Sequence, residues 1–216
     1  MQKITLSFDN GPTPEITDHV LDVLERRNIH ATFFVIGEKL ADANARARTV
    51  RAHGAGHWIG NHSFTHKTPL GKMDDPAESV KEIENTQAAL ADFAHSRRFF
   101  RPFGGGGALG DHLLSRAAFD YLCAEKFTCV TWNMIPRDWE GDRGWIQRAF
   151  DIGADLDWGL VVLHDLPSGA MQYLDEFLQR LDDEGVEIVQ DFPPDCLSIR
   201  QGVPTPVAAG YVSDPL

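Results

Sequence analysis

Short apolar runs alternate with amphipathic stretches along most of the chain, and this alternation restricts the fold more than any other feature. The runs at 4–8 and 160–163 are typical of buried strands, whereas the apolar spacing of three and four residues after Thr13 is typical of a helix. Strands that alternate with helices predict a parallel α/β fold. The count of about seven strands favours a distorted or incomplete (β/α) barrel, and a doubly wound open sheet is the alternative.

The predicted elements extend to about residue 190. We expect strands at 4–8, 31–36, 58–62, 99–101, 128–132, 160–163 and 186–189. Between them we expect helices from Thr13–Pro14 to about 24, and at 38–52, 77–93, 109–126, 145–152 and 171–183. Periodicity fades after Asp191 and prolines accumulate, Pro215 being the last of them. The sequence therefore predicts one catalytic domain over 1–190 and a Pro-rich tail over 191–216 without regular structure.

Charge and cysteine content exclude several classes of protein. A net charge of −12 over 216 residues argues against nucleic acid and anionic membranes as partners. The three cysteines, Cys123, Cys129 and Cys196, form no CxxC pair, so we expect buried thiols and not metal ligands. The chain enters a strand without a leader and has no apolar run approaching the roughly 18 residues of a membrane helix. If this start is native, a cytoplasmic protein is expected.

Five polar signatures each follow an apolar run that reads as a strand. They are Phe8-Asp9-Asn10-Gly11-Pro12, His62-Ser63-Phe64-Thr65-His66, Arg101-Pro102-Phe103-Gly104, Asp138-Trp139 and Leu163-His164-Asp165. In strand–helix folds the loops after strand ends converge on one site. Together the signatures supply two imidazoles, a candidate base, a candidate acid and an arginine. This combination suggests metal-assisted hydrolysis.

His62 and His66 are the candidate metal ligands. Their spacing of four would bring both imidazoles to one side of a helical turn. Imidazole favours zinc and its first-row neighbours, and a third protein ligand would leave a position for a catalytic water. The alternative is a pair of histidines in a polar loop.

Four further residues are candidates for proton transfer and its support. Asp9 is a possible base, or else a turn aspartate before glycine. His164 emerges from a buried strand and could donate a proton to a leaving amine, or be a satisfied core histidine. Asp138 could orient His164, or be a plain turn residue. Arg101, if buried, needs a carboxylate such as Asp9; the alternative is an exposed cation with a packed stem.

The order and spacing of these signatures resemble the polysaccharide deacetylase family, the NodB-homology group of metal-dependent carbohydrate esterases, over residues 4–189. The resemblance implies a distorted (β/α) barrel, one divalent metal ion, with zinc favoured, and removal of an N- or O-linked acetyl group from an oligosaccharide or polysaccharide. By position it implies catalytic residues Asp9, His164, Arg101 and Asp138, metal ligands Asn10, His62 and His66, and substrate-binding residues Phe103, Gly104, Trp139 and Val162.

Two departures from the family pattern keep other functions open. Asn10 replaces the aspartate of the metal triad, and a neutral amide should bind a cation more weakly than a carboxylate. The Arg101 signature is one residue short and runs into glycines; Pro102 has no N–H for an oxyanion, so Phe103 or Gly104 is the candidate donor. The alternatives are a metal-independent hydrolase of cyclic amides or ureides with the same fold, and a degenerate member that only binds saccharide.

Overall fold

Nine strands and six helices occur in residues 1–213, the part of the chain that the computed structural model describes. The strands are β1 (Lys3–Asp9), β2 (Thr32–Val35), β3 (Trp58–Asn61), β4 (Phe99–Phe100), β5 (Thr128–Val130), β6 (Trp158–His164), β7 (Glu187–Ile188), β8 (Leu197–Arg200) and β9 (Val203–Pro204). The helices are α1 (Ile16–Arg26), α2 (Ala43–Gly54), α3 (Pro76–Leu90), α4 (Arg116–Ala124), α5 (Trp145–Gly153) and α6 (Leu174–Asp183). Across these residues, no helix combines the length and apolarity needed to cross a membrane.

Polar side chains begin three of the helices by accepting hydrogen bonds from backbone N–H groups of the first turn. Asp42 caps α2 through the Ala45 N–H, and Ser115 caps α4 through the Ala118 N–H. Asp75 caps α3, where Pro76 occupies the first helical position and has no N–H to satisfy. These caps fix where α2, α3 and α4 start.

The chain divides into two compact units, and the first comprises Met1–Phe33, Asp42–Trp58 and Trp132–Pro193. In this unit β1 pairs in parallel with β6 over its whole length, from Lys3 opposite Trp158 to Asp9 opposite His164. The short strand β7 also pairs in parallel with β1. The register places the last residues of β1 and β6 side by side.

The second unit comprises Phe34–Ala41, Ile59–Thr131 and the described chain after Pro193. Here β3, β4 and β5 are parallel neighbours, and β8 and β9 continue the sheet in antiparallel orientation. Asn61 at the end of β3 lies opposite Phe100 at the end of β4. The loops that carry His62 and Arg101 therefore start next to each other.

The predicted strands are all present, but the expectation for the tail and the bounds of three helices need correction. Residues after Asp191 do form regular structure: β8 and β9 extend the sheet, and a 3₁₀ turn follows at Pro206–Tyr211, while 214–216, with Pro215, lie outside the described residues. The first helix begins at Ile16 and not at Pro14, with Glu15 as its N-cap. The predicted helix 38–52 is a 3₁₀ turn at Gly37–Ala41 followed by α2, and the predicted helix 109–126 is a 3₁₀ turn at Asp111–Leu113 followed by α4.

The prediction of buried thiols is confirmed for two of the three cysteines. Cys129 and Cys196 are fully buried, and burial raises the pKa of each to about 12. Cys123 is partly exposed. At neutral pH the two buried sulfurs are therefore neutral thiols that pack as small apolar groups.

His57 is a buried neutral histidine in the first unit. Its side chain packs edge-on against Phe33 at 5.2 Å between ring centroids, and its Nδ1 accepts a hydrogen bond from the Ala31 N–H at 3.1 Å. Burial lowers the pKa of His57 to about 4, and the nearby charges of His30 and Arg51 act in the same direction. The folded protein therefore holds this imidazole neutral at a pH where the unfolded chain protonates it.

We expect His57 to make the protein sensitive to mild acid. Its contribution to stability is complete above the unfolded pKa of 6.5 and falls by roughly 3 kcal/mol as pH drops to about 4, because only the unfolded state takes up the proton. Urea unfolding at a series of pH values measures this. His57→Asn should flatten the slope between pH 6.5 and 4 relative to wild type. The exposed His53→Asn is the control, and an unchanged slope in His57→Asn would contradict the prediction.

Candidate active site

The ends of β1 and β6 carry an acidic cluster around one imidazole in the first unit. This carboxylate–histidine cluster consists of Asp9, Asp138, His164 and Asp165. Asp9 is 3% exposed, and Asp138 and Asp165 are fully buried. Burial of a carboxylate is unfavourable unless hydrogen bonds or opposite charges compensate it. A cluster of buried carboxylates around one imidazole therefore indicates a functional site.

Asp138 binds His164 through both carboxylate oxygens. Oδ1 accepts from Nδ1–H of the imidazole at 2.8 Å, and Oδ2 accepts from the backbone N–H of the same residue at 2.7 Å. Asp138 opens a 3₁₀ turn that is flanked by Arg137 and Gly141, both in the left-handed region. With Nδ1–H directed at Asp138, the opposite ring nitrogen, Nε2, is the atom that can exchange a proton with a substrate.

The surroundings of His164 favour its protonated form. Burial alone would lower its pKa, but the hydrogen bond and charge of Asp138 raise it, and the charges of Asp9 and Asp165 add to the rise. The net effect is a pKa above the ordinary value of 6.5. An imidazolium that persists toward neutral pH has the proton that a general acid must donate.

Trp139 and Val162 lie in the same unit. The Trp139 ring meets the His164 ring edge to face at 5.2 Å between centroids, and Val162 is buried within β6. Val162 donates its backbone N–H to the Met134 carbonyl at 3.0 Å, which holds this part of β6 in place. The assignment of both residues to an acetyl-binding pocket stays a prediction.

Asp165 and Thr17 are features to which sequence reasoning gave no role. The Thr17 hydroxyl donates a hydrogen bond to Asp165 Oδ2, and Thr17 Oγ1 in turn accepts from the Thr13 N–H at 2.7 Å. A Cβ on Gly11 would collide with the Asp165 carboxylate, so a larger residue at this turn would force that side chain to move. An aspartate directly after a buried strand was the available signal, but its partner Thr17 is distant in sequence.

The second unit brings the two candidate metal ligands together. The His62 and His66 rings lie 4.7 Å apart between centroids. The helical turn expected for this segment is absent: residues 62–66 form a loop in which Ser63 and His66 have φ of 63° and 52°. The imidazoles therefore share a side through two left-handed residues and not through helical periodicity.

The orientation of His62 suits a metal ligand. Its Nδ1–H donates to the backbone carbonyl of Arg101 at 2.9 Å, so Nε2 carries the lone pair. Metal-ligating histidines usually donate their other N–H in this way, which fixes the tautomer and the ring plane. The His66 ring packs against Phe103 at 4.0 Å between centroids.

Arg101 is completely buried in the second unit. Its guanidinium carbon lies 4.0 Å from the Phe34 ring centroid, and its nitrogens are 3.4 Å from the carbonyl oxygens of Val130 and Thr131. These contacts supply carbonyl dipoles and a π face to the cation. The predicted pairing of Arg101 with Asp9 stays a prediction.

Glycines dominate the loop that follows Arg101. Gly105, Gly106 and Gly107 all have positive φ, which side chains rarely tolerate. Gly104 is buried, and its carbonyl lies 3.2 Å from His112 Nε2. The assignment of Phe103 or Gly104 as the oxyanion donor stays a prediction.

The second unit supplies two of the ligands that a metal site needs. No group of three or more His, Cys, Asp and Glu side chains among residues 1–213 is arranged to hold a metal ion. The imidazoles of His62 and His66 are two ligands of the type that zinc and its neighbours prefer, and their spacing is compatible with one ion. A further donor is required, and the predicted one, Asn10, is an amide.

Comparison with known proteins shows the family. The sequence profile described as "Polysaccharide deacetylase" matches residues 1–118, more than half of the chain. Chitooligosaccharide deacetylase of Rhizobium leguminosarum bv. trifolii is 33% identical over 76% of this chain and 72% of that protein. Peptidoglycan-N-acetylmuramic acid deacetylase PdaC of Bacillus subtilis is 29% identical over 86% of this chain, which spans only 37% of PdaC.

Solved structures share the fold. The Bc1960 peptidoglycan N-acetylglucosamine deacetylase superposes with a TM-score of 0.69 at 26% identity, over 93% of this chain and 90% of that one. A family 4 acetyl xylan esterase of Clostridium thermocellum, in complex with a cobalt ion, gives 0.71 at 27% identity over 87% of each chain. A CE4 family pseudoenzyme of Bacillus anthracis gives 0.72 at 17% identity, over 87% of this chain and 63% of that one.

The chain belongs to the polysaccharide deacetylase family. The predicted family and α/β fold are therefore confirmed, and the relatives are deacetylases and a carbohydrate esterase, as the sequence signatures implied.

We expect substitution of Asp138 to lower the pKa of His164. Asp138→Asn removes the charge that opposes the effect of burial, so the imidazole should lose its proton at lower pH than in wild type. Titration of the histidine ring signals by NMR measures this. Glu140→Gln, on the same 3₁₀ turn but exposed, is the matched control. Identical His164 titrations in wild type and Asp138→Asn would contradict the assignment of Asp138 as the main source of the shift.

Proposed function

We propose that this protein hydrolytically removes acetyl groups from N- or O-acetylated oligosaccharides or polysaccharides. The observation that carries the proposal is the carboxylate–histidine cluster: a buried Asp9 in register with His164, and a buried Asp138 hydrogen-bonded to that imidazole. Amide and ester hydrolysis needs one group to take a proton from water and another to give one to the leaving atom. Asp9 and His164 are residues of these two types.

Each member of the cluster has a distinct proposed role. Asp9 is the general base that accepts a proton from the attacking water. His164 is the general acid, because its raised pKa keeps a proton available for the departing amine or alkoxide. Asp138 orients His164 by accepting from Nδ1–H, which leaves Nε2 to face the substrate. Arg101 remains the proposed partner of Asp9.

We propose that His62, His66 and Asn10 hold one divalent ion, zinc by preference. When bound, such an ion polarises the acetyl carbonyl and lowers the pKa of water. The hydrogen bond from His62 Nδ1–H to the Arg101 carbonyl supports this role, because it presents Nε2 as the ligand atom. Asn10 contributes no charge, so we expect weaker binding than a carboxylate would give.

The proposed substrate contacts come from four residues. Phe103 or Gly104 would donate a backbone N–H to the oxyanion, and Trp139 and Val162 would enclose the acetyl methyl group. The named relatives act on peptidoglycan and chitooligosaccharides, which favours a polymer or oligomer of N-acetylated amino sugars as the substrate. A small amide substrate is the alternative.

Asn10 is the residue that motivates two other functions. Without a carboxylate at this position, the chain could hydrolyse cyclic amides or ureides without a metal, or bind saccharide without turnover. A carboxylate–histidine cluster with a buried base and a hydrogen-bonded acid has no evident use in a protein that only binds. The deacetylase function is therefore favoured over saccharide binding alone, and the named relatives, which are deacetylases, favour it over hydrolysis of cyclic amides.

Replacement of the proposed base should remove most of the activity. We expect Asp9→Asn to lower kcat for acetate release from chitooligosaccharides by about 10²- to 10⁴-fold, because the amide cannot accept the proton. Substrate binding should change much less. Asp155→Asn, an exposed aspartate before β6, is the control and should behave as wild type. A wild-type rate in Asp9→Asn would remove Asp9 from the mechanism.

Metal removal and restoration distinguish the three functions. Activity should disappear after chelation and return with zinc, and Asn10→Asp should raise both zinc affinity and kcat, because a carboxylate adds a charged ligand. Asn28→Asp, at an exposed position, is the control for the added charge. Full activity after chelation would favour the cyclic amide hydrolase. Absence of turnover with any acetylated saccharide or amide, in wild type and in Asn10→Asp, would favour the binding protein.

A further inference from the structure

The loop that carries the two imidazoles has a backbone conformation that its sequence does not favour. Ser63 and His66 both have positive φ, although neither is a glycine. Such conformations persist only where surrounding groups determine them more strongly than local preference does. The conformation of residues 63–65 must therefore be held by contacts with other parts of the chain.

Glu82 on α3 accepts three hydrogen bonds from this loop. Its Oε2 accepts from the backbone N–H groups of Phe64 and Thr65, each at 2.8 Å, and its Oε1 accepts from the Thr65 hydroxyl at 2.8 Å. Glu82 is only 9% exposed. A buried carboxylate that receives three donors from one loop fixes that loop strongly, because charge-assisted hydrogen bonds are stronger than neutral ones.

The neighbouring residue of α3 anchors the start of the same loop. Asn61 donates from Nδ2 to the Ile83 carbonyl at 2.9 Å and accepts from the Ser63 N–H at its Oδ1 at 3.0 Å. The N–H groups of residues 63, 64 and 65 are thus all taken by side chains that belong to, or are tied to, one turn of α3.

The loop carbonyls have partners as well. The carbonyls of Ser63 and Phe64 accept from the N–H groups of Gly37 and Glu38, each at 3.0 Å. A Cβ on Gly37 would collide with Phe64 and Thr86, so this close approach requires glycine. The backbone between the two imidazoles is therefore hydrogen-bonded on both sides.

We propose that Glu82 is a positioning residue that fixes His62 relative to His66 and thereby sets the affinity of this protein for its metal ion; the proposal rests on the function proposed above. The reason is that Glu82 accepts hydrogen bonds from three donors of this loop, two backbone N–H groups and one hydroxyl. A glutamine would keep one oxygen for the Phe64 and Thr65 N–H groups, but it would present a neutral N–H₂ to the Thr65 hydroxyl, so the charge that strengthens all three hydrogen bonds would be lost. The imidazoles would then be held less firmly in one arrangement before the ion arrives.

Calorimetric titration with zinc tests this proposal. We expect Glu82→Gln to lower the zinc affinity by about tenfold or more, the range found when groups behind metal ligands are replaced. Glu84→Gln, on the same helix but exposed, should leave the affinity unchanged. Thr65→Val, which removes only the hydroxyl donor to Oε1, should give a smaller decrease. Urea unfolding of each metal-free variant separates loss of affinity from loss of fold.

The outcomes distinguish this proposal from the proposed function. If wild type binds zinc and a folded Glu82→Gln binds it equally well, the role of Glu82 is overturned while the metal function stands. If wild type binds no zinc in excess, the metal function itself fails. If Glu82→Gln does not fold, Thr65→Val carries the test, and an unchanged zinc affinity in that variant would overturn the role of Glu82.

Discussion

The parallel pairing of β1 with β6 is the constraint from which the arrangement of the candidate acid and base follows. Seven residues of each strand are in register, and most of their side chains are buried. Because alternate residues of a strand face opposite sides, a shift of one residue would exchange the faces on which Asp9 and His164 lie. The apolar residues of β1 and β6 thus fix a register, and the register places two polar residues at the strand ends.

Each of the two units contains a buried carboxylate next to a candidate functional imidazole. Asp138 and Glu82 are carboxylates within the two units, and each accepts hydrogen bonds from the residue or loop that carries a candidate functional imidazole. Their cost is offset by these bonds, since a buried polar group is tolerated when its hydrogen bonds are made. The two carboxylates have the same physical effect. Asp138 restricts the orientation of His164, and Glu82 restricts the arrangement of His62 and His66 through the loop between them.

Several features could be read from the sequence because they depend on local pattern. Apolar and polar residues alternate in β1, the centre of β6 is apolar throughout, and the helices between strands have apolar positions three and four apart. The polar signatures at strand ends follow from the same alternation. Other features could not be read. The 62–66 segment looked like a helical turn by spacing alone, but long-range hydrogen bonds from α3 impose a loop. The strand β8 follows Pro193 and Pro194, and its partner is the distant strand β5, with which it pairs in antiparallel orientation.

The sequence by itself determined the alternating α/β architecture, the family, and the residue types available for proton transfer and metal binding, because these depend on periodicity and on short motifs. Only the tertiary structure decided which backbone carbonyl fixes the His62 tautomer, that both oxygens of Asp138 engage one histidine, that Glu82 holds the loop after His62, and that Asp165 bonds Thr17 in α1. The physical reason is that hydrogen bonds act over about 3 Å, so partners separated by many residues become identifiable only when the chain is folded.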